Sequence, residues 1–207
     1  MSQILVTGAN GFVGRGLCDA LRTRGIAVVP AVRKINQASD VAVGDLSAAT
    51  DWRLALQNCD AVIHLAARVH VMNETASDPL DAFRSVNVEA TVNLARQAIT
   101  AGVSRFVFVS SVKVNGEETS ERPYTAFDEP APTDPYGISK LEAEVALKKL
   151  AEETGLEVVI VRPPLIYGPG VRANFQRLMQ LVKMGLPLPL GACLLYTSDA
   201  ADDSLRV

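Results

Sequence analysis

The chain has little of what several specialised protein classes depend on. Of its 207 residues only three are cysteines (Cys18, Cys59 and Cys193), and none forms a C-x-x-C pair. That excludes a disulfide framework and a zinc site of ordinary spacing, and it fits reduced thiols in a cytoplasmic protein. There are 2 histidines, and no His, Asp and Glu group has metal-ligand spacing, so no metal is expected. The formal net charge is -3. Without a basic excess or a block of like charge, nothing favours nucleic acid as a partner. No run reaches the roughly 18 apolar residues of a membrane span. The N-terminus shows no basic segment leading into a long apolar run, so no secretory leader is expected either.

What is present suits one substantial core: 48% of the residues are hydrophobic and 21% are charged. No internal repeat is visible. Short apolar runs at Ile4–Val6, Ala27–Val32, Asp60–Leu65, Arg105–Val109 and Glu157–Val161 predict parallel strands buried on both faces, with a weaker strand at Val41–Val43. Helical patterns fill Phe12–Arg24, Trp52–Gln57, Pro79–Ala101, Pro135–Thr154 and about Ala173–Met184. Gly25, Gly102, Gly155 and Gly185 each follow a helix, where a left-handed cap residue belongs. Alternating strand and helix predicts an α/β fold: a doubly wound, Rossmann-type parallel sheet with helices on both faces. In such sheets ligands bind outside the carboxyl ends of the strands.

The first strand end carries the strongest signal. Thr7-Gly8-Ala9-Asn10-Gly11-Phe12-Val13-Gly14 lies between a β-rich run and a helix. A sharp turn through glycines leaves backbone N–H groups unpaired at the positive pole of the helix, which suits a pyrophosphate. The spacing is G-x-x-G-x-x-G, looser than the commoner G-x-G-x-x-G, and a glycine triplet alone marks a plain turn about as often. Its place after the first strand favours dinucleotide binding.

A second group stands later in the chain. Ser110 and Ser111 follow a strand, and Tyr136-Gly-Ile-Ser-Lys140 opens a helix. Tyr136 and Lys140, at i and i+4, share one helix face. An ammonium near a phenol favours the phenolate, and a serine at a neighbouring strand end can bond the same substrate oxygen. The set can move a proton to or from an alcohol oxygen while hydride passes to or from a nicotinamide. Each part has a plain structural reading too, a surface pair or a turn cap; their joint occurrence in the right topological places favours chemistry.

In Thr7–Gly14, Asp45-Leu46, His64–Ala67, Asn87, Ser110-Ser111, Tyr136–Lys140 and Arg162–Gly170 the chain resembles the extended short-chain dehydrogenase/reductases, the NAD-dependent epimerase/dehydratase family. Within it, Ala67–Val71 and Ser111–Gly116 are similar to the branch related to UDP-glucose 4-epimerase. Val114-Asn115-Gly116 departs from the V-Y-G of most relatives, which bears on one sugar contact. The resemblance implies that Gly8, Asn10, Gly11, Phe12, Val13 and Gly14 hold the pyrophosphate and that Asp45 and Leu46 contact the adenine. It implies that Leu65, Ala66, Ala67 and Pro163 border the cofactor cleft. Ser111, Tyr136 and Lys140 would be catalytic, with Tyr136 and Lys140 also on the cofactor. Ser111, Lys113, Asn174 and Phe175 would meet a UDP-sugar. Asn87 reads equally as a relay beside the cofactor and as a polar group bonding backbone. His64 reads as a packed, hydrogen-bonded histidine, His70 as a loop histidine and Asp128-Glu129 as a solvated turn. A homodimer through the helices Pro79–Ala101 and Pro135–Thr154 is fold-level analogy.

The cofactor is NAD or NADP. The second strand leads into Arg33 where NAD enzymes carry an acid, so Arg33 leans toward a 2′-phosphate. The expected activity is epimerisation at C4 of a UDP-hexose through a 4-keto sugar. The alternatives are a one-way NADPH-dependent 4-keto-sugar reductase and a non-catalytic dinucleotide-binding module. The expected organisation is a dinucleotide-binding domain at 1–170 with the catalytic residues, the start of a substrate region at 171–191, and a non-native or disordered tail at 192–207. A chain so organised binds dinucleotide and turns sugar over poorly.

Overall fold

The computed structural model describes residues 3–69, 78–119, 122–168, 170–171 and 173–184. The chain divides into two units, Met1–Gly116 with Pro130–Pro164, and Glu117–Glu129 with Leu165–Val207.

The first unit holds six parallel strands: β1 (Gln3–Thr7), β2 (Ala27–Val32), β3 (Val41–Ala42), β4 (Ala61–His64), β5 (Arg105–Val109) and β6 (Glu157–Val161). Their order is β3-β2-β1-β4-β5-β6. Ile4 pairs with Val28 on one side and Ala61 on the other, so the order reverses about β1. A ligand crevice opens at that reversal, outside the carboxyl ends of the strands. The helices of this unit are α1 (Phe12–Thr23), α2 (Pro79–Arg84), α3 (Ala90–Thr100) and α4 (Pro135–Thr154).

Alternation along the strands fills two layers. Leu5, Val62, Phe106 and Phe108 pack with Leu94 and Ala98 of α3 and Ala143 and Leu147 of α4. Val6 and Val32 pack on the opposite face with Cys18, Leu17 and Leu21 of α1. β6, at the edge, alternates exposed and half-buried residues, unlike the doubly buried strand expected for it.

Local chemistry explains the long helix α4. The Asp134 carboxylate accepts from the Gly137 N–H at 2.6 Å, Pro135 takes the first turn where its missing N–H costs nothing, and Gly155 closes the helix in the left-handed region at φ 77°. Two expectations fail here. Trp52–Gln57 is a chain of turns rather than a helix: Leu56 N–H reaches the Trp52 carbonyl, but Asn58 turns left-handed at φ 57° and ends the pattern. Pro79–Ala101 is not one regular helix, because a π-helical turn at Ser85–Glu89 separates α2 from α3.

In the second unit α5 spans Ala173–Lys183 and carries Asn174 and Phe175 in its first turn. Asp128, read as part of a solvated turn, accepts from Arg122 and from the Thr125 N–H and hydroxyl. His70, Gly185, Cys193 and the tail 192–207 lie outside the described residues. Among the described residues no helix is long and apolar enough to cross a membrane, and no group of His, Cys, Asp and Glu could hold a metal ion.

Candidate active site

The glycine turn is built for close approach. Gly8 has φ 66°, and a Cβ there would stand 3.0 Å from the Ala66 nitrogen. At Gly14 a Cβ would stand 2.2 Å from the Gly8 carbonyl oxygen, so only glycine lets α1 start this close to β1. The α1 N-terminus has no side-chain cap and no acid in its first turn. Its N–H groups and positive pole therefore stand ready for an anion. Asn10 and Gly11 are exposed, while Phe12 and Val13 are half-buried. The Thr7 hydroxyl accepts from the Leu65 and Ala66 N–H groups at 3.1 Å each, tying the ends of β1 and β4 together across the crevice. Ala67 follows, half-buried, in the same loop. These residues fit a dinucleotide pyrophosphate, because the turn presents donors and no competing acid.

The residues read toward proton transfer lie at the same edge of the sheet. β5 is two strands from β1, about 10 Å away. Ser111 follows β5, and its hydroxyl accepts from the Lys113 N–H at 3.2 Å, capping the 3-10 turn Val112–Val114. It also lies near the Tyr136 phenol. The phenol stands above its ordinary pKa, chiefly through burial; Ser111 pulls the other way and Asp134 adds to the rise. The ring of Tyr136 meets the Phe83 ring edge-on at 6.1 Å between centroids, and the Arg68 guanidinium lies over the other ring, 5.5 Å from its centroid. The Val112 N–H donates to the Pro163 carbonyl at 3.1 Å, which seats half-buried Pro163 beside this turn. Lys113 pairs with Asp134 at 3.2 Å.

Lys140 shares the helix face with Tyr136, one turn on. Its side chain is buried, and Nζ lies 4.1 Å from the centroid of the Phe108 ring. Burial lowers its pKa to about 7, against the opposing pull of Glu144.

Two buried groups around Lys140 were not both visible in the sequence. His64 is packed and hydrogen-bonded, as read. Thr7 Oγ1 lies 2.7 Å from Nδ1, and Nε2 lies 3.0 Å from Thr91 Oγ1. Thr7 already accepts two N–H groups, so its own proton goes to Nδ1 and Nε2–H donates to Thr91. Burial first, and then Lys140, lowers the His64 pKa to about 3, so the ring is neutral. Glu144 was missed. Fully buried, it is held by Arg162 at 2.6 Å, and the Ser110 hydroxyl donates to it at 2.5 Å. The i+4 spacing from Lys140 was its only sequence signal, and that spacing reads as a solvated pair.

Asn87 sits on the π-helical turn and is buried. Its Oδ1 accepts from the Arg68 N–H at 2.8 Å, and its Nδ2 donates to the Arg68 carbonyl at 3.0 Å and to Ser139 Oγ at 2.9 Å. It therefore clamps the loop after β4 to α4, the plainer of its two readings. Arg33 and Asp45, both read toward the cofactor, pair with each other at 2.7 Å on the surface; Leu46 beside them is half-buried. A cavity of about 390 Å³ borders the glycine turn, lined by Asn10, Arg15, Asn36 and Asp40 among others. A larger one of about 550 Å³, beside Thr50, Asn93 and Gln97, includes none of the residues read toward cofactor or catalysis.

Residues 4–190 match the family model described as the NAD dependent epimerase/dehydratase family. The chain is 50% identical over 195 residues to a UDP-glucose 4-epimerase of Vibrio cholerae, covering 92% of this chain and 60% of that protein. Among solved structures, it is 36% identical to a short-chain dehydrogenase/reductase superfamily protein of Agrobacterium tumefaciens with bound NAD, with a TM-score of 0.67 over 77% of this chain and 48% of that one. It is 27% identical to a UDP-glucuronic acid 4-epimerase of Bacillus cereus in complex with UDP-glucuronic acid and NAD, with a TM-score of 0.74 over 90% of this chain and 64% of that one.

Proposed function

The chain belongs to the NAD-dependent epimerase/dehydratase family, and from that premise we propose that it is the cofactor-binding and catalytic part of a nucleotide-sugar 4-epimerase. Its substrate is a UDP-hexose, oxidised at C4 and reduced again on the other face through a 4-keto sugar. The observation that carries the reading is that Ser111, after β5, and Tyr136, in the first turn of α4, are joined through the Lys113–Asp134 pair at the same sheet edge as an uncapped glycine turn.

Gly8 to Gly14, with Leu65, Ala66, Ala67, Leu46 and Pro163 along the crevice, would hold the dinucleotide. A bound nicotinamide supplies a site that takes up hydride and gives it back. Ser111 orients the C4 oxygen by a hydrogen bond. Tyr136 takes the hydroxyl proton as the alcohol is oxidised and returns it when the ketone is reduced. Lys140, buried beneath Tyr136 on the same helix face, contributes a cation near the cofactor ribose. Residues 1–170 carry these parts, and residues 171–191, with Asn174 and Phe175, open the sugar region.

Product analysis tests the reading. Incubated with a UDP-hexose, the protein interconverts the two C4 epimers with no net change in dinucleotide. The chain spans 60% of the length of the Vibrio cholerae protein. Steady consumption of NADPH would instead make it a reductase. Dinucleotide binding with no sugar turned over, in the wild type and in Tyr136→Phe alike, would make it a non-catalytic module.

A further inference from the structure

Glu144 is the fully buried carboxylate among the described residues, and the mechanism above does not use it. It lies one turn after Lys140 on α4, and both side chains are buried, at 0% and 2% exposure. Arg162 grips it as a fork: Nε to Oε1 at 2.9 Å and Nη2 to Oε2 at 2.6 Å. The Ser110 hydroxyl closes the cluster on Oε1, and Arg162 Nη1 also reaches Asn115 Oδ1 at 3.3 Å. Ser110 directly precedes Ser111, and Arg162 directly precedes Pro163.

A buried ion pair is a poor way to gain stability. Desolvation consumes most of the attraction, and apolar residues of similar volume do as well or better. α4 already buries Ala143 and Leu147 on either side. A charge at position 144 therefore has a use other than packing. The group that needs it is one turn away. Lys140 Nζ faces the Phe108 ring, which attracts a cation but offers little compensation for lost water. Tyr136 and Glu144 lie one turn from it on its own helix, His64 on β4 is its titratable neighbour across the core, and Arg162 after β6 joins the cluster through Glu144. His64 is neutral above about pH 3, and Glu144 is the neighbour that favours the ammonium.

We infer that Glu144 is a positioning residue: clamped by Arg162 and Ser110 one turn from Lys140, its carboxylate biases that buried side chain toward the ammonium form. The inference rests on the reading of Lys140 given above, and the experiment below needs no turnover. The protein is labelled with lysine carrying ¹³C at Cε. The Lys140 signal, assigned by its loss in Lys140→Arg, is followed against pH. In the wild type its midpoint lies near 7. In Glu144→Gln the midpoint falls by about one pH unit or more, because the stabilising charge is gone. In Glu144→Asp it stays closer to the wild type than in Glu144→Gln. A folded Glu144→Gln whose Lys140 midpoint does not move overturns the proposal, whatever the fate of the epimerase reading, which Tyr136→Phe tests separately. Glu144→Gln strands Arg162; should it fail to fold, Glu144→Gln with Arg162→Met removes the orphaned cation, and the same fall is expected. A double variant that also fails to fold makes the cluster architectural and overturns the proposal too.

Discussion

Gly137 lies against the carbonyl of Lys113: a Cβ added at Gly137 would stand 2.8 Å from that oxygen and 3.1 Å from the Pro132 Cβ. The absent side chain lets the first turn of α4, which carries Tyr136, approach the turn after β5, which Ser111 caps. The helix start and the seating of Ser111 and Tyr136 are one construction. Asp134 serves both, capping α4 through the Gly137 N–H and pairing with Lys113.

Gly137→Ala is expected to separate stability from chemistry. Alanine gains about 1 kcal/mol of helix propensity over glycine. Overpacking costs about 1–3 kcal/mol, so thermal unfolding shifts only modestly. The displaced helix start carries Tyr136 out of line, and turnover falls about tenfold or more. Dinucleotide affinity, set by the glycine turn of β1, stays within about twofold of the wild type. Unchanged turnover in the variant would contradict this account.

Tyr136→Phe removes the phenol oxygen, the proton carrier in the proposed reaction, and little else. The Ser111 hydroxyl keeps its bond from the Lys113 N–H, and the ring keeps its edge contact with Phe83. Turnover is expected to fall by about 10²–10⁴-fold, the usual contribution of a positioned acid–base group. Stability should change by no more than about 1 kcal/mol, the net worth of one hydrogen bond. Dinucleotide titration should be indistinguishable from the wild type. A variant that loses cofactor binding would place the side chain in binding rather than proton transfer.

Much of this was legible in the sequence because local rules decide it. β2, β5, β6 and α4 fall at the expected residues: three apolar runs, and one helix with Asp134 and Gly155 at its ends. Other features depend on partners far away in the chain. The segment after Trp52 was read as a helix from its apolar spacing. Its backbone is instead held by Gln97, whose Oε1 accepts from the Trp52 N–H and whose Nε2 donates to the Thr50 carbonyl. The π-helical turn that swings Asn87 inward is one extra residue per turn, invisible to a 3.6-residue period. Glu144 reads as half of a solvated Lys–Glu pair until Ser110 and Arg162 meet it from two strand ends. The seat of the Lys140 ammonium over the Phe108 ring could not be read from its spacing to Tyr136.

The Arg33–Asp45 pair bears on cofactor choice. The two side chains are 73% and 85% exposed and 2.7 Å apart. An exposed pair of this kind is worth about 0–1 kcal/mol, so a 2′-phosphate could compete for the guanidinium at small cost. Asp45→Asn should therefore raise affinity for NADP by up to about fivefold through release of Arg33. Its effect on NAD tests separately the adenine contact that the resemblance implies for Asp45. Arg33→Ala should weaken NADP more than NAD. Fluorescence titration of both dinucleotides on both variants measures this. Equal effects of Arg33→Ala on the two cofactors would remove Arg33 from any role in discrimination.

His64 makes a prediction about pH. Its ring is neutral in the folded chain, with a pKa of about 3 set mainly by burial, against about 6.5 in an unfolded chain. Between those values the unfolded state binds more protons than the folded state, so stability rises with pH across the window. The contribution is complete above about pH 6.5 and declines as acid is added, by at most about 1.4 kcal/mol per pH unit. Other groups act in neighbouring windows, and Asp128, its carboxyl lowered by Arg122 and Thr125, acts only in the acid one. Asp51, with its pKa lowered to about 2 by its Arg53 hydrogen bonds, loses its effect only below the ordinary carboxylate range. Lys140, lowered to about 7, is protonated in both states below neutrality. The interval from about pH 4.5 to 6.5 therefore isolates the histidine. Urea unfolding at several pH values in that interval should show stability falling with acid in the wild type and a much flatter profile in His64→Gln. The glutamine loses ring packing against Phe106 and Phe108 and starts from lower stability at pH 7, so the slope, and not the starting value, decides the matter. Parallel slopes in the two proteins would mean that the imidazole takes up its proton without leaving the sites between Thr7 and Thr91.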